Sequence, residues 1–385
     1  MNIVNDKSSI LFIHHNCEIG GAELSLLDLI ININRDLFNP VVVIPNDGPL
    51  YRRLRSKDII IRIENIPWFK STFNPFKLLS YLVQLFRVIL KLRNFVRAEN
   101  IVLIHTNSIS SQIIGGTLAR IEKIANIWHL RDILTLNMIN RFIFRFCGMY
   151  ATKIIVISKS VKNHIYDLID DKSKIKVIYN GIDLKRFNGA LISKKDESIT
   201  VGIVSRLVPW KGHIEFIQAA QIVLSMFSNV RFFIIGDTFQ KDIWYKNKIK
   251  KKIEALRLNK HIILVSHKDN ILPQITLLDI VVVPSKRPEP FGRIIIESMA
   301  LSKPVVATLF GGPTEIVDNN KTGFLVNPNV PTEIAEKIIE LIKNPYLRIQ
   351  MGLNGRKRVE QLFLLSNTIS NVQKLYCECL REFEG

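Results

Sequence analysis

Cysteine is scarce in this chain. Cys17, Cys147, Cys377 and Cys379 are the four thiols among 385 residues. Four scattered cysteines cannot brace a fold of this length, which excludes a disulfide framework. Cys377 and Cys379 stand one residue apart on an expected helix and so point to different faces; they read as reduced thiols rather than a metal pair. No apolar run approaches the ~18 residues a membrane-crossing helix needs. Residues 1–9 lack a basic stretch followed by an apolar core, so they do not read as a secretory signal, and the expected location is cytoplasmic. No G-x-G-x-x-G fingerprint is present, which weakens the case for a nicotinamide cofactor. Zinc-finger spacing and aromatic–basic RNA-binding motifs are missing as well, so no nucleic-acid partner is expected. Acid is also in deficit: 34 Asp+Glu stand against 53 Lys+Arg, a formal charge of +19. Both halves share the excess, so it is not a tail. Such charge suits phosphorylated substrates or an anionic lipid surface.

What is present is an ordinary globular composition, 47% hydrophobic and 23% charged, in a chain long enough for two full cores. Apolar strand-like runs alternate with helix-like runs throughout, the pattern of doubly wound parallel α/β sheets. The runs at 10–13, 41–44, 59–61, 101–104, 153–157 and 176–179 read as strands of a first domain. Polar, turn-rich residues 188–198 read as a linker. Alternation restarts at 200–204 and continues through strands at 231–235, 262–265, 280–283 and 304–308. Helices over 331–343 and 345–364 close the pattern. We therefore expect two Rossmann-like domains, 1–190 and 191–385, facing across a cleft. The last helix, about 368–382, is placed to pack back on the first domain.

Four clusters sit at expected strand ends, where α/β sheets bind ligands. Gly20-Gly21-Ala22-Glu23 follows the first strand; paired glycines admit a phosphate or sugar closely and can take positive φ, and a plain tight turn fits equally well. Trp128-His129-Leu130-Arg131-Asp132 ends another strand, and His129 there could hydrogen-bond a sugar hydroxyl or share a proton. In Ser205 to His213, Arg206 and Lys211 could grip a diphosphate or could be two solvated cations. The most informative stretch is Pro288-Glu289-Pro290-Phe291-Gly292-Arg293-Ile294-Ile295-Ile296-Glu297. Its two carboxylates, with seven residues between them, bracket an aromatic–glycine step at the start of a helix. Two exposed carboxylates complementing the helix dipole would explain them individually. Together with the two cations of the same domain they suit a nucleotide-diphosphate sugar, whose anion and hydroxyls need both kinds of group.

These residues, with Asn180-Gly181-Ile182-Asp183, Pro284-Ser285 and Pro304 to Glu315, resemble the retaining GT-B glycosyltransferases of family 4 along nearly the whole chain. The resemblance implies roles. Arg206 and Lys211 would neutralise the donor diphosphate. Glu297 would hold the ribose, and Glu289 the transferred sugar. Phe291, Gly292 and Arg293 would offer backbone N–H groups, Gly21 would admit the donor phosphates, and His129 would reach the sugar. Cations would replace a metal, and no D-x-D motif argues otherwise, so neither metal nor cofactor is expected. Ser298 after the second Glu, and Leu301-Ser302, depart from the family pattern on the helix behind the site. Nucleobase contacts are expected near His267 and Lys268.

The run Phe76 to Arg97 and the segment 139–147 interleave apolar residues with Lys77, Arg87, Lys91, Arg93, Arg97, Arg141 and Arg145. Sheet packing explains many of the apolar positions; the surplus suggests a surface that meets anionic lipid. The leading expectation is a glycosyltransferase acting on a lipid-linked or growing surface polysaccharide. Rivals are an enzyme making a small glycoside or disaccharide phosphate, and a non-catalytic sugar-nucleotide-binding subunit.

Overall fold

The computed structural model describes residues 7–68, 74–133, 136–187, 198–238, 242–266 and 270–384. The chain forms two compact units, residues 1–180 with 366–385, and residues 181–365. The division falls at Asn180-Gly181, ten residues before the expected boundary. Of the expected linker, 188–198, only Ser198 lies within the described residues.

The first unit holds β1 (Ser8–Ile13), β2 (Phe38–Ile44), β3 (Ile60–Ile63), β4 (Ile101–Thr106), β5 (Ala125–Leu130), β6 (Lys153–Val156) and β7 (Ile175–Val177). They form one parallel sheet in the order β3-β2-β1-β4-β5-β6-β7. Ile10 to Ile13 and Val41 to Ile44 are fully buried. A strand apolar on both sides must be covered on both sides, and crossover helices do that. Leu92 and Val96 of helix Pro75–Ala98, with Ile114 and Leu118 of helix Ile109–Glu122, pack on Leu11, Ile13, Val41 and Val43. Each such side chain contributes about 1.5–3 kcal/mol on full burial.

Helix Ile109–Glu122 was not legible in the sequence. Ser108 caps it by accepting the Ser111 N–H. Lys123, at φ 55, ends it in the left-handed region. Its Ser and Gly residues are poor helix formers, yet Gly115 is required, because a Cβ there would fall 2.4 Å from Thr106 Cγ2. Helices Pro75–Ala98 and Met138–Tyr150 both pack against this helix.

The second unit holds β8 (Ile199–Val204), β9 (Val230–Ile235), β10 (Ile262–Val265), β11 (Ile280–Val283), β12 (Val305–Thr308) and β13 (Gly323–Val326). The sheet is parallel, in the order β10-β9-β8-β11-β12-β13. Helices His213–Leu224 and Pro331–Lys343 bring Phe216, Ile217, Ala220, Ile334 and Ile338 into its core. In both sheets the chain direction of winding reverses once, between β1 and β4 and between β8 and β11. Loops leaving the carboxyl ends of those strand pairs diverge and leave room for a ligand.

Helix Leu365–Glu384 joins the first unit from Ser366 onward. Val372, Tyr376 and Cys379 are fully buried there, Gln373 accepts the Asn34 N–H at 2.6 Å, and Lys153 bonds Glu382 at 2.6 Å. Cys377 is half-buried and stands on a different face from Cys379.

Candidate active site

The winding reversal of the second sheet gathers most of the residues singled out in the sequence. The loop after β8 makes a short turn, Pro209–Lys211, and enters its helix through Gly212 at φ 80. A Cβ on Gly212 would lie 1.9 Å from the Pro284 carbonyl oxygen, so only glycine lets this loop meet the loop after β11. The Lys286 N–H donates to the Trp210 carbonyl at 2.7 Å and ties the two loops again.

Between them, Lys211 Nζ lies 2.7 Å from both oxygens of Glu289. Ser285 Oγ donates to Glu289 Oε2 at 2.7 Å. The Lys211 ammonium also sits over the Trp210 ring, 4.1 Å from its centre. Glu289 is held through its backbone: it bridges Gly311, and the Gly312 N–H donates to its carbonyl at 2.7 Å. Both side chains are largely buried. A buried ion pair persists only where hydrogen bonds offset the lost hydration, and Ser285 supplies one. His213, fully buried, meets Ser205 Oγ at 3.1 Å. Burial, with the Lys211 charge adding to it, holds this imidazole neutral, with a pKa lowered to about 3.

One step along the chain, Gly292 at φ 98 starts helix Arg293–Ala300. Arg293 Nε donates to Glu297 Oε1 at 2.8 Å, one turn away. The Phe291 ring is buried against Phe363, centres 5.9 Å apart, so this side chain belongs to the core. Ser298 Oγ donates back to the Ile294 carbonyl at 2.7 Å, which accommodates its hydroxyl inside the helix. Arg206 lies exposed at the start of the β8 loop. His267 and Lys268 lie outside the described residues.

The other two predicted residues belong to the first unit. His129, near the end of β5, is buried. Its Nδ1 lies 3.2 Å from Arg131 Nη2 and 3.2 Å from His105 Nε2. A guanidinium only donates, so His129 Nδ1 accepts and the ring proton resides on Nε2. His105 Nε2 then also donates, and its Nδ1 accepts the Tyr376 hydroxyl at 2.6 Å. Burial first, then the Arg131 charge, holds both imidazoles well below their ordinary pKa. His129 Nε2 is a buried N–H with no protein acceptor among the described residues. The arrangement makes His129 a hydrogen-bond donor. Asn107 and Asn180 hold Arg131 in turn, at 3.1 and 2.8 Å.

Gly21 is the first residue of helix Gly21–Asn32, and Gly20 before it is extended at φ −139. Neither glycine takes the positive φ that the pair allowed. What Gly20 supplies is space, since a Cβ on it would come within 2.9 Å of Glu23 Oε2.

Comparison with known proteins follows the same division. The family model for glycosyl transferases group 1 matches residues 188–358, and that for Glycosyltransferase Family 4 matches residues 19–186. An uncharacterized glycosyltransferase of Methanocaldococcus jannaschii, MJ1178, is 31% identical over 370 residues, 94% of this chain and 95% of its own. This chain is a GT-B glycosyltransferase of family 4. A capsular polysaccharide biosynthesis glycosyltransferase of Staphylococcus aureus, CapM, is 34% identical over 248 residues, 61% of this chain and 64% of its own. The fold matches that of Anabaena HepE, solved with UDP and glucose, at TM-score 0.80 and 24% identity over 96% of this chain and 99% of that one.

In this family 4 chain, sequence reasoning assigned no role to Ser285, His213, His105 or Tyr376. Ser285 and His213 stood inside recognised segments and were nameable. The pairing of Tyr376 with His105 spans 271 residues and leaves no local signal.

Proposed function

We propose that this glycosyltransferase moves a sugar, with retention of configuration, from a nucleotide-diphosphate donor to a lipid-linked or growing cell-surface polysaccharide. The observation that carries the reading is the Lys211–Glu289–Ser285 cluster at the winding reversal of the second sheet. A cation held by a carboxylate is ready to take a diphosphate as a second anion. Its arrival loosens the grip on Glu289, whose freed oxygen then accepts a hydroxyl of the transferred sugar. Glu297, on the first turns of the next helix, holds the ribose hydroxyls, and Arg293 orients it. The backbone N–H groups of Phe291, Gly292 and Arg293 face the donor at a helix start that favours anions. Arg206 adds a second positive charge as the diphosphate leaves, so the chemistry needs no metal. In the first unit, His129 presents its Nε2–H as a donor suited to a sugar hydroxyl, and Gly21, at a helix start, leaves the β1 loop suited to a phosphate. Support for the donor class comes from the UDP complex of the Anabaena relative, and for the acceptor class from the capsular role of the Staphylococcus relative.

The acceptor's lipid end points to a surface as partner. On helix Pro75–Ala98, Phe76 is 82% exposed, and Leu79, Leu82, Val83, Phe86 and Leu90 are exposed with it. Met138, 86% exposed, and Phe142 stand on the helix Met138–Tyr150 of the same layer. Lys77, Arg87, Arg141 and Arg145 are exposed among them. No helix among the described residues is long and apolar enough to cross a membrane. An apolar, cationic helix layer instead lies on the anionic cytoplasmic leaflet. The deciding experiment is a thermal-shift screen with free UDP, GDP and ADP. One of them raises Tm, and Lys211→Ala abolishes the rise; no shift with any of the three overturns the donor assignment.

A further inference from the structure

The loop after β1 holds a second group of polar atoms that the donor reading does not use. His14 is 2% exposed, and its Nε2 lies 3.1 Å from Glu23 Oε1. Asn16 Nδ2 donates to the same oxygen at 3.1 Å. Burial by itself would raise the Glu23 carboxyl, but the hydrogen bond from His14 and its neighbours overcomes it and holds the pKa down at about 2. Glu23 is therefore a carboxylate and only accepts. In the neutral ring the His14 proton is committed to Glu23, and Nδ1 carries the lone pair. That Nδ1 is buried with no protein partner among the described residues, and so is Nδ1 of His15. Burial, with the His14 ring adding to it, lowers the His15 pKa to about 4 and keeps it neutral. Buried polar atoms without partners are rare and costly, which makes a pair of them on adjacent residues informative.

The two rings lead to an exposed aromatic. His14 and His15 meet edge-on at 5.2 Å, and His15 meets Trp68 edge-on at 5.0 Å. Trp68 follows β3, two strands from β1, and is 61% exposed at the ligand-binding end of the sheet. A broad aromatic face beside a few fixed hydrogen-bonding atoms is how protein sites hold a sugar ring, which is apolar on its C–H face and polar at its rim.

We infer that the loop after β1, with Trp68, forms a subsite for a sugar ring of the acceptor, in which His14 Nδ1 accepts a hydrogen bond from one hydroxyl and Trp68 covers the C–H face. Glu23 is a positioning residue, fixing which His14 nitrogen faces the ligand. A hydroxyl reaching Nδ1 displaces part of the loop 15–20, whose residues other than Cys17 are half-buried or exposed. The inference rests on the glycosyltransferase reading above for its word acceptor; the sugar-binding part stands by itself.

The test is saturation-transfer NMR on the full chain with the methyl glycosides of glucose, galactose and N-acetylglucosamine. The ring protons of at least one glycoside receive saturation, and Trp68→Ala and His14→Phe each weaken its binding by about tenfold. The thermal shift given by UDP, GDP or ADP is unchanged in both variants. Trp68 is exposed, so its variant folds even where the buried His14 change does not. The inference is overturned where no glycoside binds the native chain, where binding survives Trp68→Ala undiminished, or where either variant loses the nucleotide shift. In that last case His14 and Trp68 serve the donor. A native chain that binds a glycoside but none of the nucleotides sinks the donor reading and leaves the subsite in place.

Discussion

At the residue scale, one bond organises the candidate site: Lys211 Nζ shared between both oxygens of Glu289. Removing the cation leaves a mostly buried carboxylate with Ser285 as its remaining side-chain donor. Lys211→Ala should therefore lower kcat by about a hundredfold or more, the usual worth of a charge aimed at a leaving group. It should also cost about 3 kcal/mol of stability. Steady-state kinetics and denaturant melts read the two separately, and unchanged turnover would remove Lys211 from the site. His129 makes a subtler case. Tyr376→Phe deletes the hydroxyl that fixes His105, which loosens one of the two donors on His129 Nδ1. The expected result is a fall in kcat of about fivefold to tenfold with donor KM unchanged, in keeping with one hydrogen bond. Nitrogen-15 NMR of labelled histidine should keep a protonated His129 Nε2, because Arg131 still donates to Nδ1; a proton found on Nδ1 would contradict the geometry. His129, Glu289 and Lys211 were legible as candidates because each stands beside glycine, proline or tryptophan after an apolar run, and Glu297 because it closes the apolar run that follows Gly292. Tyr376, on a helix with ordinary amphipathic spacing, carries no such mark.

Two helices show what a sequence conceals at the scale of the element. Helix Ile109–Glu122 looks like a loop because serine and glycine crowd it, yet it is the central helix of its layer. Its Gly115 serves close approach to Ile104 and Thr106, and its Gly116 close approach to Tyr150, rather than flexibility. Gly115→Val should accordingly cost about 2–3 kcal/mol through overpacking, read as a lowered Tm with no selective change in KM. Helix Pro75–Ala98 shows the reverse. Its type and span were plain from sequence, but its apolar positions exceeded what the sheet could cover. Val88, Ile89, Leu92 and Val96 are buried, while Phe76 through Phe86 carry the exposed surplus. Three nearby cations are partly answered: Lys91 by Glu64, and Arg93 and Arg97 by Glu122. Charge for a lipid surface then falls to Lys77 and Arg87. Flotation with vesicles containing phosphatidylserine at low salt should show the chain rising with the lipid. Phe76→Glu with Phe86→Glu should reduce that binding at least about tenfold, and added salt should weaken it as well. Equal flotation with neutral and anionic vesicles would remove the membrane partner.

For the molecule as a whole, buried histidines set the response to acid. His213, with a folded pKa lowered to about 3, cannot take a proton at pH 5, whereas the unfolded chain can. Its share of stability is full above the ordinary value of 6.5 and is lost as pH falls from there toward 3. Glu23 works the same way over a lower window, from 4.5 down to about 2. His105 and His129 add to the first window in the same direction. Each proton taken up only on unfolding steepens the loss by about 1.4 kcal/mol per pH unit. Tm should fall steadily between pH 7 and pH 4, and a flat profile there would contradict the buried, neutral imidazoles. The sequence by itself determined the two parallel sheets, because β-branched runs buried on both faces admit no other partner than crossover helices. It also determined the glycosyltransferase family and marked the loops after β8 and β11 as meeting points, because glycines and prolines of that kind are needed wherever backbones must meet. Only the tertiary structure decided which atoms are bonded. That Lys211 already holds Glu289, that Phe291 is core, that Gly20 is extended while Gly21 opens a helix, and that His14 and His129 each have one nitrogen committed all depend on contacts made in the folded chain. A linear pattern records the type of a side chain and its spacing, while a hydrogen bond depends on where folding brings its partner.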